Sequence, residues 1–192
     1  IASGLVKPDD IPNFANKIHK ESGRLLSLIS DIMELSQLDE KFSDEEFAPV
    51  DLAGVAAEVA EDLRSNAEKH GITITVDTKT AVINGNRNQI YELIYNLCDN
   101  AIRYNRENGS VKIITGDDNE HPFVKVADTG IGNPEKHQNR VFERFYRVDK
   151  SRSKETGGTG LGLAIVKHIT ERHGGEISLE SSEQGTTFTA RF

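Results

Sequence analysis

A chain of 192 residues with 36% apolar and 28% charged residues has the composition of a soluble domain with a full core, which excludes a disordered or fibrous protein. A net charge of −8 repels a phosphate backbone, so DNA and RNA are poor partners and any nucleotide chemistry must rest on a local site. The single cysteine, Cys98, excludes an internal disulfide and, set in an apolar helical run, reads as a small buried hydrophobe.

No apolar run approaches the length of a bilayer span, and no signal-peptide pattern is present. The chain opens at Ile1 within a helical pattern and without Met, so it is expected to be an excised piece of a longer protein. After Pro8 and Pro12, apolar residues at Phe14, Ile18, Leu25, Leu28, Ile32 and Leu35 fall at the spacing of one helix face. Leu26, Ile29 and Met33 add a second stripe, more apolar surface than a lone helix tolerates in water. This is either a core helix of the domain C-terminal to it or a helix of a dimeric bundle. The charged, breaker-rich segment Asp39 to Pro49 favours the bundle.

Asp51 to His70 reads as a helix, and Ile72 to Val76 as a strand with a turn at Asn84 to Asn86 beyond it. Asn88 to Asn105 is strongly helical, with Ile90, Leu93, Ile94, Leu97 and Ala101 inward. Strands Val111 to Thr115 and Phe123 to Ala127 flank an acidic loop from Gly116 to Pro122, and an irregular stretch runs from Asp128 to Gly160. Helix Leu161 to His173 stops at Gly174-Gly175, with His173 at its negative end, and Ile177 to Leu179 and Thr187 to Phe192 close a hairpin. The pattern predicts an antiparallel or mixed sheet covered by helices on one face.

Three segments carry chemistry. Asn96, Asn100, Arg103 and Tyr104 share one helix face. Two amide oxygens one turn apart suit Mg²⁺, and the arginine and tyrosine then meet phosphates, although the same face also reads as solvated helix surface. Asp128-Thr129-Gly130-Ile131-Gly132 comes directly after a strand. Its carboxylate suits an exocyclic amine such as that of adenine, and its glycines let a flat ligand lie on the backbone, but Asp and Gly also make ordinary turns. Gly157 to Leu163 opens a helix with glycines whose N–H groups can converge on an anion, after a polar, lid-like stretch from Lys150 to Glu155. No Lys-Ser/Thr pair comes after these glycines and no strand leads straight in, which disfavours the common phosphate loop and the dinucleotide turn.

These segments in this order, with Phe142-Glu-Arg-Phe-Tyr-Arg147 between the second and third, resemble the N, G1, F and G2 boxes of bacterial sensor histidine kinases of the phosphate-sensing and cell-wall-sensing membrane type. Gly185-Thr-Thr-Phe188 is similar to the family's final glycine motif, and Asn13 to Leu38 resembles the second helix of its dimerisation and phosphotransfer domain. The resemblance implies an α/β class protein, a two-layer α/β sandwich with a mixed sheet of the kind shared with gyrase-type ATPases. Residues 1–40 would be a dimerisation-helix remnant, 41–50 a linker and 51–192 the catalytic domain.

By the same resemblance Asp128 binds the adenine amine, with Gly130, Ile131 and Gly132 beside it. Asn96 and Asn100 hold Mg²⁺, and Arg103 and Tyr104 hold phosphates. Gly158, Thr159, Gly160, Leu161 and Gly162 form the phosphate cradle, Thr187 supports the adenine pocket, and Arg147 reaches the terminal phosphate of ATP. Glu92, one turn before Asn96, is either a base or a solvated helix residue. The implied partners are a response-regulator receiver domain and a second copy of the parent chain, with no nucleic acid and with membrane attachment only through segments outside this sequence. The domain would be cytoplasmic.

The family's phosphoacceptor pattern, His-Glu-x-x-Thr-Pro, is missing: none of the six histidines has that context, and His19 is followed by Lys20. The fragment is therefore expected to bind ATP without labelling itself. Two other readings stand beside the kinase: a nucleotide-binding or dimerisation module without transfer, and a gyrase-like conformational ATPase.

Overall fold

A computed structural model describes residues 7–39, 47–118, 121–148 and 159–192. A short 3₁₀ turn, Pro8–Asp10, leads into α1 (Ile11–Asp39), whose apolar side chains Phe14, Ile18, Leu25, Leu26, Ile29 and Met33 are all exposed. None of its described side chains joins the core, so the reading of α1 as a core helix fails among those residues.

The remaining elements, in chain order, are β1 (Ala48–Asp51), α2 (Leu52–Lys69), β2 (Thr73–Thr78), β3 (Val82–Gly85), α3 (Arg87–Arg103), β4 (Ser110–Asp118), β5 (His121–Asp128), α4 (Glu135–Gln138), α5 (Gly162–Arg172), β6 (Glu176–Ser182) and β7 (Gly185–Arg191). Five strands form a mixed sheet in the order β2-β4-β5-β7-β6, parallel only between β2 and β4, while β1 and β3 pair antiparallel as a separate ribbon. This is the expected two-layer α/β architecture.

Three local expectations change. The ribbon occupies residues that the pattern assigns to linker and turn, because four-residue strands show no alternation of their own and exist only through their partner. Strands β4 and β5 extend to Asp118 and from His121, so most of the acidic loop is paired sheet. The stretch after Asp128 contains the short helix α4.

The core lies between the sheet and helices α2, α3 and α5. Leu52, Leu63, Ile90, Leu93, Ile94, Leu97, Ile165 and Ile169 are fully buried over Val111, Ile113, Val124 and Val126. Cys98 is also fully buried, as its apolar setting predicts. Two side-chain caps fix where the helices start. The Asp51 carboxylate accepts from Ala53 N and Gly54 N at α2, and Asn86 Oδ1 accepts from Gln89 N at α3. With the start of α3 fixed by its cap and its apolar face fixed by the core, the opposite polar face points at the site.

Candidate functional site

Along α3, Asn96, Asn100, Arg103 and Tyr104 line one wall of a cavity of about 630 Å³. Asn96 Nδ2 donates to the Glu92 carbonyl at 3.1 Å, which turns Oδ1 outward toward the start of α5. A Cβ on Gly162 would sit 2.8 Å from that oxygen and push the amide aside. Arg103 is half-buried and pairs with Asp99 one turn back, Nη2 to Oδ2 at 2.6 Å.

The far wall is the loop after β5. Asp128 Oδ1 accepts from Gly130 N at 2.7 Å and from Thr186 N at 3.2 Å, which leaves its second oxygen for a ligand. Burial raises its pKa above the usual carboxylate range, and those two backbone donors pull the other way. Gly132 has a φ of +70°, and a Cβ there would collide with the Ser182 carbonyl. Glycine is therefore what seats Ile131 and Asn133 against the end of β6. A small network ties this loop to α3: Asn105 Nδ2 donates to the Ala101 and Ser110 carbonyls, Ser110 N donates to Thr129 Oγ1, and Thr129 Oγ1 donates to Asn105 Oδ1.

The third wall is the start of α5 together with the turn before it. Thr159, Gly160 and Gly162 line the cavity, and Thr159 Oγ1 accepts from Leu161 N at 3.3 Å just ahead of α5. A helix start of this kind presents N–H groups to an anion. Arg147 and Tyr146 close the cavity from the Phe142–Arg147 segment. Tyr146 is held from behind, its hydroxyl 2.5 Å from His137 Nδ1 and its ring 4.3 Å from the Arg140 guanidinium, which also pairs with Glu143.

The structure thus brings Asn96, Asn100, Arg103, Tyr104, Asp128, Ile131, Gly132, Arg147, Thr159, Gly160 and Gly162 around one space. Gly130 is buried behind it, and Leu161 is a core residue with no exposure. Gly158 and the lid-like stretch lie outside the described residues. Thr187 does not line the cavity; Thr186 does, because strand alternation puts it on the same inward face as Phe188 and Ala190. Glu92 is not among the described residues that line the cavity; it lies a turn nearer the start of α3 than Asn96, and its backbone carbonyl accepts from Asn96 Nδ2. Reasoning from sequence misses Asp99, Asn133, Tyr146 and Thr186; of these only Thr186 carries a signal, the period-two register running back from Phe188.

A family model described as histidine kinase-, DNA gyrase B- and HSP90-like ATPase matches residues 85–192. The sensor-like histidine kinase SenX3 of Mycolicibacterium smegmatis is 40% identical over 184 residues, covering 95% of this chain and 48% of SenX3. Among solved structures, full-length ShkA in complex with AMPPNP is similar at a TM-score of 0.76 and 29% identity, over 89% of this chain and 36% of that one. ThkA in complex with the response regulator protein TrrA is similar at 0.77 and 27%, over 98% of this chain and 52% of that one. The chain belongs to this ATPase family, as the catalytic ATP-binding domain of a sensor histidine kinase. It spans about half the length of the curated relative it matches.

Proposed function

We propose that the cavity binds Mg²⁺-ATP and that the domain transfers the γ-phosphoryl group to a histidine on a dimerisation domain of the parent protein, for relay to a receiver-domain aspartate. The observation that carries this reading is the meeting of Asn96, Asn100, Asp128 and Arg147 around one cavity at the start of α5. Phosphoryl transfer asks a protein for position and charge neutralisation rather than covalent help, and these residues supply both.

In this reading Asp128 anchors the adenine amine through its unengaged oxygen. Asn96 and Asn100 offer amide oxygens to Mg²⁺, and the outward turn of Asn96 Oδ1 fits that role. When bound there, the ion would supply positive charge to neutralise the phosphates. Arg103 and Arg147 orient the phosphates, and the glycine N–H groups at α5 receive them. The incoming imidazole nitrogen attacks the γ-phosphorus, the bond to the β,γ-bridging oxygen breaks, and ADP leaves.

Residues 1–40 would belong to the dimerisation helices, and the exposed stripe of α1 suits association with a second copy in the parent. The parent would be anchored in a membrane through other segments; no helix among the described residues is long and apolar enough to cross one. The test is calorimetry of ATP and ADP with and without Mg²⁺, then labelling of a separately supplied phosphoacceptor domain. Binding that depends on Mg²⁺ and Asp128, with label on the supplied histidine, is the expected result. A folded protein that binds no nucleotide overturns the reading.

A further inference from the structure

Arg147 enters the cavity from irregular backbone, so neither a helix nor a strand fixes its aim. What precedes it is a row of three-residue turns. His137 N donates to the Pro134 carbonyl, Arg140 N to that of His137, Glu143 N to that of Arg140 and Tyr146 N to that of Glu143, at 2.9, 2.9, 2.9 and 3.1 Å. Turns that repeat every third residue bring side chains three apart onto one line. His137, Arg140, Glu143 and Tyr146 accordingly touch one another. Arg140 Nε and Nη2 donate to the Glu143 carboxylate at 3.1 and 3.0 Å, and the Arg140 guanidinium lies 4.3 Å from the Tyr146 ring centre. The 2.5 Å hydrogen bond between the Tyr146 hydroxyl and His137 Nδ1 spans the whole row and closes it.

The end of the row is pinned on its other side as well. Phe145 N donates to the Gly160 carbonyl at 2.9 Å, and Phe145 stands at a φ of 63°. A bulky residue keeps that left-handed conformation only where its surroundings impose it. A Cβ on Gly160 would lie 3.2 Å from Arg147 Cγ, so the stem of Arg147 passes close to this glycine. Arg147 therefore extends from a point held between Gly160 and the row. Tyr146 lines the cavity, whereas His137, Arg140 and Glu143 are not among the residues that do. Any part that His137 has in the chemistry must therefore act through Tyr146.

We propose that His137 is a positioning residue for phosphoryl transfer: by holding the Tyr146 hydroxyl it fixes the point from which Arg147 extends, and with it the aim of the guanidinium at the terminal phosphate. The proposal rests on the reading of this cavity as the site of ATP-dependent transfer. Loss of the imidazole leaves the four backbone bonds, the Arg140–Glu143 pair and the Phe145–Gly160 bond in place, so the segment stays folded while its last residues gain freedom. Misplacement of a group that acts on the transferred phosphoryl costs rate rather than ground-state affinity.

The experiment measures label transfer from ATP to a separately supplied phosphoacceptor domain for the wild type, His137→Leu, His137→Asn, Tyr146→Phe and the double variant Tyr146→Phe/His137→Leu. Calorimetry gives the affinities for ATP and ADP, and thermal midpoints check each fold. His137→Leu should lower kcat about tenfold, the worth of one hydrogen bond, with the ADP affinity unchanged. His137→Asn should recover most of that loss, because an amide beside the tyrosine can donate or accept. In the Tyr146→Phe background, His137→Leu should cost nothing more. A merely structural role would lower the thermal midpoint and weaken ATP and ADP together, with no recovery in the asparagine variant. A folded His137→Leu protein with the wild-type kcat overturns the proposal, as does a loss repeated in full on top of Tyr146→Phe. A wild type that binds ATP but never labels the supplied histidine overturns the transfer reading instead.

Discussion

His173 Nε2 accepts a 3.0 Å hydrogen bond from the backbone N–H of Asn86, so the residue after the end of α5 is joined to the cap of α3. The other ring nitrogen, Nδ1, donates to the Ile169 carbonyl at 2.8 Å, and Phe47 stacks on the ring at 4.8 Å. Both nitrogens are committed only while the imidazole is neutral. Burial holds its pKa below the usual histidine range; the Ile169 carbonyl opposes this and Arg172 adds to it. The unfolded chain therefore takes up a proton at higher pH than the folded one, and stability falls as pH drops through about 6.5. Denaturant midpoints at about pH 7.5 and 5.5 should show that loss in the wild type and a flatter profile in His173→Gln, whose amide oxygen can still accept from Asn86 N. Equal pH dependence in the two proteins would refute the account.

Asp128→Asn should separate binding from stability. The raised pKa means that the charged carboxylate is disfavoured in the folded protein, so its contribution to stability is lost as pH rises through the folded value. The neutral amide can still accept from Gly130 N and Thr186 N, so the melting temperature at neutral pH should rise by about 1–3 °C. The amide N–H₂ now faces an amine, and ATP affinity should fall about a hundredfold. Differential scanning calorimetry and titration on one preparation test both halves. A variant that is less stable at neutral pH contradicts the electrostatic account.

Gly162→Ala should act on the end of the site where Mg²⁺ binding is proposed. The added methyl meets Asn96 Oδ1 at 2.8 Å and must push it from its present direction. Alanine suits a first helical turn, so the thermal midpoint should change little. The gain in ATP affinity on adding Mg²⁺ should drop about tenfold, while binding without Mg²⁺ should change less. Unaltered Mg²⁺ dependence would remove Asn96 from the proposed metal role.

Cys98 offers a reporter of opening. It is fully buried on α3, and burial pushes its thiol pKa up. Labelling by a disulfide reagent at neutral pH should be at least about a thousandfold slower in the folded protein than in urea, and slower still with bound nucleotide. Prompt labelling of the native protein would mean that α3 lifts from the sheet without unfolding.

The helix face of α3 is legible because three-to-four-residue spacing alone decides which side chains share it. The Asp128 loop is legible because a strand ends there and glycines mark the close approach. The lining of the cavity by Thr186 rather than Thr187 shows the weaker side of strand reading: one residue of register moves a side chain to the other face, and two adjacent threonines give no hydrophobic contrast to fix it. The β1–β3 ribbon is illegible for a related reason. Ala48-Pro-Val-Asp and Val82-Ile-Asn-Gly are too short to alternate, and their pairing spans helix α2 and strand β2. The tethers of His173 and Tyr146 depend on partners tens of residues away or in irregular backbone, which no local pattern records.

The register that sets Asp128 opposite Thr186 joins residues 58 positions apart, and the second lies in β7, the last strand of the sequence. As the chain emerges from a ribosome, α3 and β5 are available well before β7 can pair with β5. Until that pairing forms, Asp128 lacks one of the two backbone donors that hold Oδ1, and the cavity lacks Thr186. Nucleotide can therefore recognise the domain only after the sheet is closed, so ATP binding reports completed folding and favours the finished state over every shorter intermediate.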